Sequence, residues 1–157
     1  VIKGVQKMPG CGVTVKHFAC NNQETNRYYM SSELSERTLR DMYLKAFEII
    51  VKEAEPKALM TAYNKVNGVY AAENEHLLKD ILRNEWGYKG LVMTDWLSVG
   101  EDRADEAKSI HAGIDLIMPG NRKNKRKLYK EYKAGLVSRA DLQRAAKNVL
   151  NIIMEEN

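Results

Sequence analysis

An α/β fold built on a parallel sheet is what this chain predicts, and three observations carry the prediction. Short apolar or β-branched runs recur at 13–15, 58–63, 91–96 and 114–118. Between them lie stretches with apolar residues at three- and four-residue intervals, the period of an amphipathic helix. The connections are short, and right-handed crossovers then make neighbouring strands run parallel.

A chain of 157 residues with 44% hydrophobic and 29% charged residues reads as one soluble globular domain, neither disordered nor fibrous. The formal charge of +4 is concentrated in Arg122-Lys123-Asn124-Lys125-Arg126-Lys127, without interleaved aromatics. That run is read as a solvated helix start, and no nucleic-acid partner is expected. A polyanion partner through Arg122 to Arg126 is the lesser alternative. Cys11 and Cys20 make no disulfide framework, there is no Cys/His metal spacing, and a reducing compartment is favoured. No cofactor and no metal are expected. No uncharged apolar window reaches the ~18 residues of a membrane span. Val1-Ile2-Lys3-Gly4 is neither a signal peptide nor an initiator start, so the chain reads as cut from something longer and its compartment stays open.

The elements follow in order. Pro9-Gly10-Cys11-Gly12 is a loop, and Val13-Thr14-Val15 a short strand delivering Lys16, His17 and Phe18 to its end. Lys16 and His17 are either site residues or, respectively, a surface lysine and a satisfied core histidine. Residues 19–27 form a loop dense in amides, suited to sugar hydroxyls and equally to plain turns. Ser35 and Glu36 open a helix running to about Ala54, with Leu39, Met42, Tyr43, Ala46, Phe47, Ile50 and Val51 inward; Pro56 ends it. Ala58 to Tyr63 is a buried strand with Met60 and Tyr63 near its exit, and Asn64 to Gly68 a loop. Asn74 caps a helix from Glu75 to Trp86, with Leu77, Leu78, Ile81 and Leu82 inward and Gly87 as its stop.

Leu91-Val92-Met93-Thr94-Asp95-Trp96 is the stretch on which the chemistry turns. An apolar strand buried on both faces ends here in a carboxylate, which is costly unless it faces a cavity. Side chains at the carboxyl ends of parallel strands converge on the ligand site, so Asp95 is the first catalytic candidate. The alternative is a turn-capping aspartate with Trp96 covering the core. A helix follows over about Asp102 to Ala112, ended by Gly113, then a fourth strand, Ile114 to Met118, closed by Pro119-Gly120. Helices over about Lys123 to Ala134 and Arg139 to Met154 complete the chain. Ser138 caps the last, with Leu142, Ala145, Ala146, Val149, Leu150 and Ile153 inward. Four strand–helix units amount to half of an eight-stranded barrel or to a small open sheet.

Several stretches together resemble one family. These are Lys16-His17-Phe18 with Asn21-Asn22-Gln23-Glu24, Met60 to Gly68, Leu82 to Gly90, Thr94-Asp95-Trp96, and Ala112-Gly113-Ile114-Asp115 with Met118-Pro119-Gly120. In order and spacing they resemble the barrel domain of glycoside hydrolase family 3, in particular its β-glucosidase-like members, over essentially the whole chain. The resemblance implies that residues 1–157 form the C-terminal half of a (β/α)8 TIM-barrel-like domain. It further implies a retaining exo-acting β-glycosidase, hydrolysing terminal β-D-glucosyl or xylosyl residues, with Asp95 as nucleophile. Lys16 and His17 would bind hydroxyls of the −1 sugar, Tyr63 would stand beside the nucleophile, and Met60 and Trp96 would line the pocket. Lys16 and the Tyr63 hydroxyl would both favour an ionised Asp95.

A retaining mechanism needs two carboxyl groups ~5 Å apart. In this branch the acid/base glutamate comes from an α/β sandwich domain, which is absent here along with the first barrel strands, so the chain alone is expected to be weakly active or inactive. Glu24, Glu73, Glu101 and Asp102 read as loop polarity and helix caps rather than substitute acids. The β-N-acetylhexosaminidase branch carries a histidine in the loop after Lys-His-Phe; here no histidine follows until His76, favouring the glucosidase-like branch. Open strand edges favour self-association or pairing with the rest of the barrel. The competing reading is a non-catalytic sugar-binding or structural half-barrel.

Overall fold

The structure, a computed structural model, describes residues 1–155. Its main sheet has three parallel strands in the order β1 (Thr14–Phe18), β3 (Ala58–Thr61), β6 (Leu91–Met93). Thr14 pairs with Ala58, and Ala58, Leu59 and Met60 pair with Leu91, Val92 and Met93. Leu59 and Val92 point into the core, against Leu77, Leu78, Ile81 and Leu82. Phe18 meets Phe47 and Trp86 edge-on, with ring centroids 5.1 and 6.1 Å away. Successive side chains alternate faces, so Met60 and Met93 stand on the side opposite that core.

The expected fourth strand over 114–118 is reduced to one parallel bridge, Met93 to Leu116. Main-chain bonds remain beside that bridge, Asp115 N–H donating to the Val92 carbonyl at 2.8 Å and Thr94 N–H to the Leu116 carbonyl at 3.0 Å, and side chains add to them. Val92 N–H donates to the Asp115 carboxylate (2.9 Å), and Met118 N–H to the Thr94 hydroxyl (2.9 Å) rather than to a carbonyl. The chain still passes parallel to β6. Residues 64–70, read as a loop, form a hairpin of β4 (Lys65–Val66) and β5 (Val69–Tyr70), turned by left-handed Asn67 (φ 49°) and Gly68 (φ 84°). Strand β2 (Ser31–Ser32) pairs with β4 to complete a second small sheet.

A short N-terminal turn, α1 (Ile2–Val5), precedes the strands. The helix α2, residues 36–54, is capped as expected, with Thr38 N–H donating to the Ser35 hydroxyl at 3.2 Å. Its turn Leu39–Leu44 is π-wound. The wider winding sets Leu39 and Leu44 on one inward face and turns Met42 outward, so Leu44 is buried where Met42 was expected. In α3 (His76–Glu85), itself π-wound along its length, the four expected residues, Leu77, Leu78, Ile81 and Leu82, are fully buried, and Asn74 accepts from Leu77 N–H at 3.1 Å. The helix expected from about Asp102 begins only at α4 (Glu106–Ala112), capped by Asp105. Asp102 has φ 57°, outside the helical region.

Helix α5 (Arg122–Lys133) starts with the basic run, largely exposed, behind an Asn121 cap. In α6 (Arg139–Glu155), Ser138 accepts from Asp141 N–H at 3.0 Å. Of its expected inward face Ala145 is buried and Leu142 and Val149 are half-buried, whereas Ala146, Leu150 and Ile153 are exposed. Asp115 fastens this helix to the sheet. Its carboxylate accepts from Arg83 (2.8 Å), Arg144 (2.8 Å) and Asn148 (2.9 Å), besides Val92 N–H.

Candidate active site

The site is built at the carboxyl ends of β1, β3 and β6. Asp95 follows β6 by two residues and is buried to 6% exposure. Its Oδ1 accepts from Trp96 N–H at 2.7 Å, and His17 Nε2, arriving from β1, lies 3.2 Å from Oδ2. The Asp95 carbonyl accepts from the Ser98 hydroxyl at 2.9 Å. The carboxylate is thus fixed by a main-chain donor on one oxygen and faces an imidazole with the other.

Tyr63, two residues beyond β3, donates its hydroxyl to the Trp96 carbonyl at 2.8 Å. Burial first, then the negative charge of Asp95 beside it, push the Tyr63 phenol well above its usual pKa. A neutral phenol remains, with its one proton committed to the turn that carries Asp95. The peptide bonds Lys16–His17 and Phe18–Ala19 are cis.

Of the residues singled out in the sequence, His17, Tyr63 and Asp95 come together here. Met60 is buried on the same side of the sheet, opposite Met93. Lys16 is exposed and makes no ion pair or hydrogen bond among the described residues, so the groups against the Asp95 carboxylate are the Trp96 N–H and His17 rather than Lys16. Trp96 is half-exposed at the rim, at 52%, and does not cover the core. The amide-rich loop is partly self-satisfied: Asn22 donates to the Tyr43 hydroxyl (2.6 Å) and Gln23 to the Thr25 carbonyl (3.3 Å), while the Asn21 Oδ1 is buried without a partner.

Of the four other carboxylates near the strand ends, Glu24, Glu73, Glu101 and Asp102, the first three have occupations of their own. Glu24 pairs with Arg27, Glu73 accepts from Asp105 N–H, and Glu101 pairs with Lys123 at 2.7 Å. Asp105, Glu106 and Glu131 lie close enough together to suggest a cation site, but the Lys127 ammonium bridges all three. Burial pushes the Cys20 thiol up to about 11, which makes it a poor nucleophile.

Sequence reasoning passed over Arg27, Tyr28 and Arg103. Tyr28 packs edge-on against Tyr63 at 4.6 Å, Arg27 lies over the Tyr63 ring at 4.2 Å, and Arg103 over the Tyr28 ring at 4.1 Å. Arg103 also donates to the Leu97 carbonyl. Leu97 has φ 64°, a conformation costing a non-glycine residue roughly 1–2 kcal/mol. No local pattern announces these contacts; the only hint is that arginines and tyrosines cluster in loops following strands.

Residues 1–152 match the model of the glycosyl hydrolase family 3 N terminal domain. The chain belongs to glycosyl hydrolase family 3. Beta-glucosidase B of Emericella nidulans is 44% identical over 158 residues, covering 99% of this chain and 18% of that protein. An exo-alpha-(1->6)-L-arabinopyranosidase of Bifidobacterium longum is 42% identical, covering 98% and 19%. Beta-glucosidase 3B of Thermotoga neapolitana, solved with alpha-D-glucose, superposes with a TM-score of 0.91 at 41% identity, over 98% of this chain and 22% of that one. The family-3 chain therefore spans about a fifth of the length of these relatives, and its parallel strands with their helices correspond to part of a TIM-like barrel.

Proposed function

We propose that this chain carries the nucleophile and part of the −1 subsite of a retaining exo-acting β-glycosidase, with the rest of the subsite and the acid/base group coming from other parts of a longer enzyme. One observation carries the reading: a buried carboxylate meets an imidazole and a neutral phenol at the C-terminal ends of three parallel strands.

In this reading Asp95 Oδ2 attacks the anomeric carbon as the aglycone oxygen leaves with a proton from the acid/base group. A glycosyl ester forms, and water, deprotonated by the same group, cleaves it with retention. Trp96 N–H holds Oδ1, and Oδ2, which faces His17 Nε2 at 3.2 Å, is the attacking atom. His17 and Lys16 stand at the end of β1 as donors to sugar hydroxyls, and the half-exposed Trp96 indole offers a flat apolar wall to a sugar's C–H face. Met60 would line the pocket from β3. The relatives' names, glucosidases and an arabinopyranosidase, support a terminal pyranoside as substrate. A β-D-glucoside or xyloside is the first choice.

The test is to treat the full-length enzyme with 2,4-dinitrophenyl 2-deoxy-2-fluoro-β-D-glucopyranoside and map the label by peptide mass. Label is expected on Asp95; stable label on any other residue defeats the assignment. The isolated chain is expected to turn over no glycoside. Sugar binding without hydrolysis by the full-length enzyme would support a lectin-like role instead.

A further inference from the structure

We propose that Arg103 is a positioning residue for the nucleophile, acting by holding Leu97 in its left-handed conformation. The proposal rests on the assignment of Asp95 as nucleophile.

The turn that presents Asp95 is gripped at two successive carbonyls. Tyr63 donates its hydroxyl to the carbonyl of Trp96 at 2.8 Å, and the Arg103 guanidinium donates to that of Leu97. The two grips are joined to each other. Arg103 Cζ lies 4.1 Å from the centroid of the Tyr28 ring, and Tyr28 meets Tyr63 edge-on at 4.6 Å. A closed circuit results, from Leu97 through Arg103, Tyr28 and Tyr63 back to Trp96, drawing on the loops that follow β1, β3 and β6.

Leu97 needs such a hold. At φ 64° its Cβ crowds its own carbonyl, and leucine has no short polar side chain with which to compensate. Its side chain is half-exposed, at 53%, so packing does little to fix it. Arg103 is itself anchored, with its N–H donating to the Gly100 carbonyl at 3.2 Å and Tyr70 donating to the carbonyl of neighbouring Asp102 at 3.3 Å. Without the guanidinium, Leu97 keeps only the bond from its N–H to the Met118 carbonyl (3.0 Å), and its strained φ can relax toward negative values. That relaxation shifts the Trp96–Leu97 peptide, and through Trp96 it displaces the adjoining Asp95–Trp96 peptide, whose N–H fixes Asp95 Oδ1 at 2.7 Å. The carboxylate then loses its aim, while donors elsewhere in the subsite still hold the sugar.

The experiment compares wild type, R103A, R103K, L97G and R103A/L97G in the full-length enzyme. It measures the rate of inactivation by the 2-fluoro glucoside, the inhibition constant for glucose, and Tm. R103A is expected to slow inactivation about 10- to 100-fold, the scale of an ångström-level misplacement of a reacting group. Glucose binding should change less than ~3-fold, separating the attacking geometry from ground-state binding. R103K recovers part of the rate, since an ammonium can donate to the Leu97 carbonyl but lacks the planar stack on Tyr28. Glycine accepts positive φ without strain, so in the L97G background removing Arg103 should slow inactivation by less than ~3-fold.

R103A enzyme labelled at the wild-type rate overturns the proposal. So does a loss undiminished in the L97G background, or one matched by an equal loss of glucose binding. Should R103A fail to fold, R103K measured with and without the L97G substitution decides by the same criteria. Wild-type enzyme labelled away from Asp95 overturns the nucleophile assignment itself, and this proposal falls with it.

Discussion

Replacing Asp115 by alanine should unfasten the last helix from the sheet. The carboxylate is fully buried as a side chain and takes four donors: Arg83 Nη2 (2.8 Å) and Val92 N–H (2.9 Å) on Oδ2, Arg144 Nη1 (2.8 Å) and Asn148 Nδ2 (2.9 Å) on Oδ1. Removing it strands two guanidinium groups whose side chains are only 18% and 32% exposed. Breaking a buried pair from one side costs about 3–5 kcal/mol. Arg83 keeps its bonds to the carbonyls of Tyr88 (2.9 Å) and Gly90 (2.7 Å), and Arg144 its bond to Ile110, which places the expected loss near the lower end, about 3 kcal/mol. Against a domain stability of about 5–15 kcal/mol that is a large fraction. Asp115→Asn, which keeps one acceptor but turns an amide toward the other donors, should lose about half as much. Urea unfolding followed by tryptophan fluorescence, extrapolated linearly to water, measures both. Asp115→Ala within about 1 kcal/mol of wild type would refute the view that this carboxylate is the hub of the fastening.

Other expectations follow from the same contacts. Tyr63→Phe in the full-length enzyme leaves the Trp96 carbonyl without its donor and should slow 2-fluoro glucoside labelling about tenfold, with Tm little changed; an unchanged labelling rate counts against a role for the hydroxyl. Gly90→Ala would put a Cβ 2.4 Å from the Tyr88 hydroxyl and 2.6 Å from the Lys57 carbonyl, one of them main chain, and should destabilise by about 2 kcal/mol in urea unfolding. At His76 burial opposes the imidazolium, but the carboxylates of Glu36 (3.0 Å) and Asp80 (3.3 Å) outweigh it, so its pKa is raised above 6.5. The contribution is then full below about pH 6.5 and fades as pH rises through the folded-state value. His76→Gln should therefore cost more at about pH 5.5 than at about pH 8.5, though under about 1 kcal/mol because the pair is half-exposed and screened. Among the described residues strand β1 is paired only to β3, and size-exclusion chromatography of the isolated chain should show a dimer or larger species; a stable monomer would refute self-association through that edge.

The order of elements, their caps and the carboxylate at the end of β6 were legible in the chain before any folding, because those signals are local. Ser35, Asn74 and Ser138 cap the helices they were expected to cap, and Leu77, Leu78, Ile81 and Leu82 are buried as their spacing required. In the π-wound turn of α2 Leu44 rather than Met42 lies inward, a local change of winding that periodicity does not carry, whereas the π-wound α3 keeps all four expected residues inward. A fourth apolar run was visible, but not that its pairing with β6 would shrink to a single bridge supplemented by the Thr94 and Asp115 side chains. Which groups meet at Asp95 depends on how distant segments pack. His17 reaches it from β1 and Tyr63 from beyond β3, with Tyr28 packed behind Tyr63 and Arg103 on Tyr28, and the parallel packing of β1, β3 and β6 is what sets these distant segments side by side.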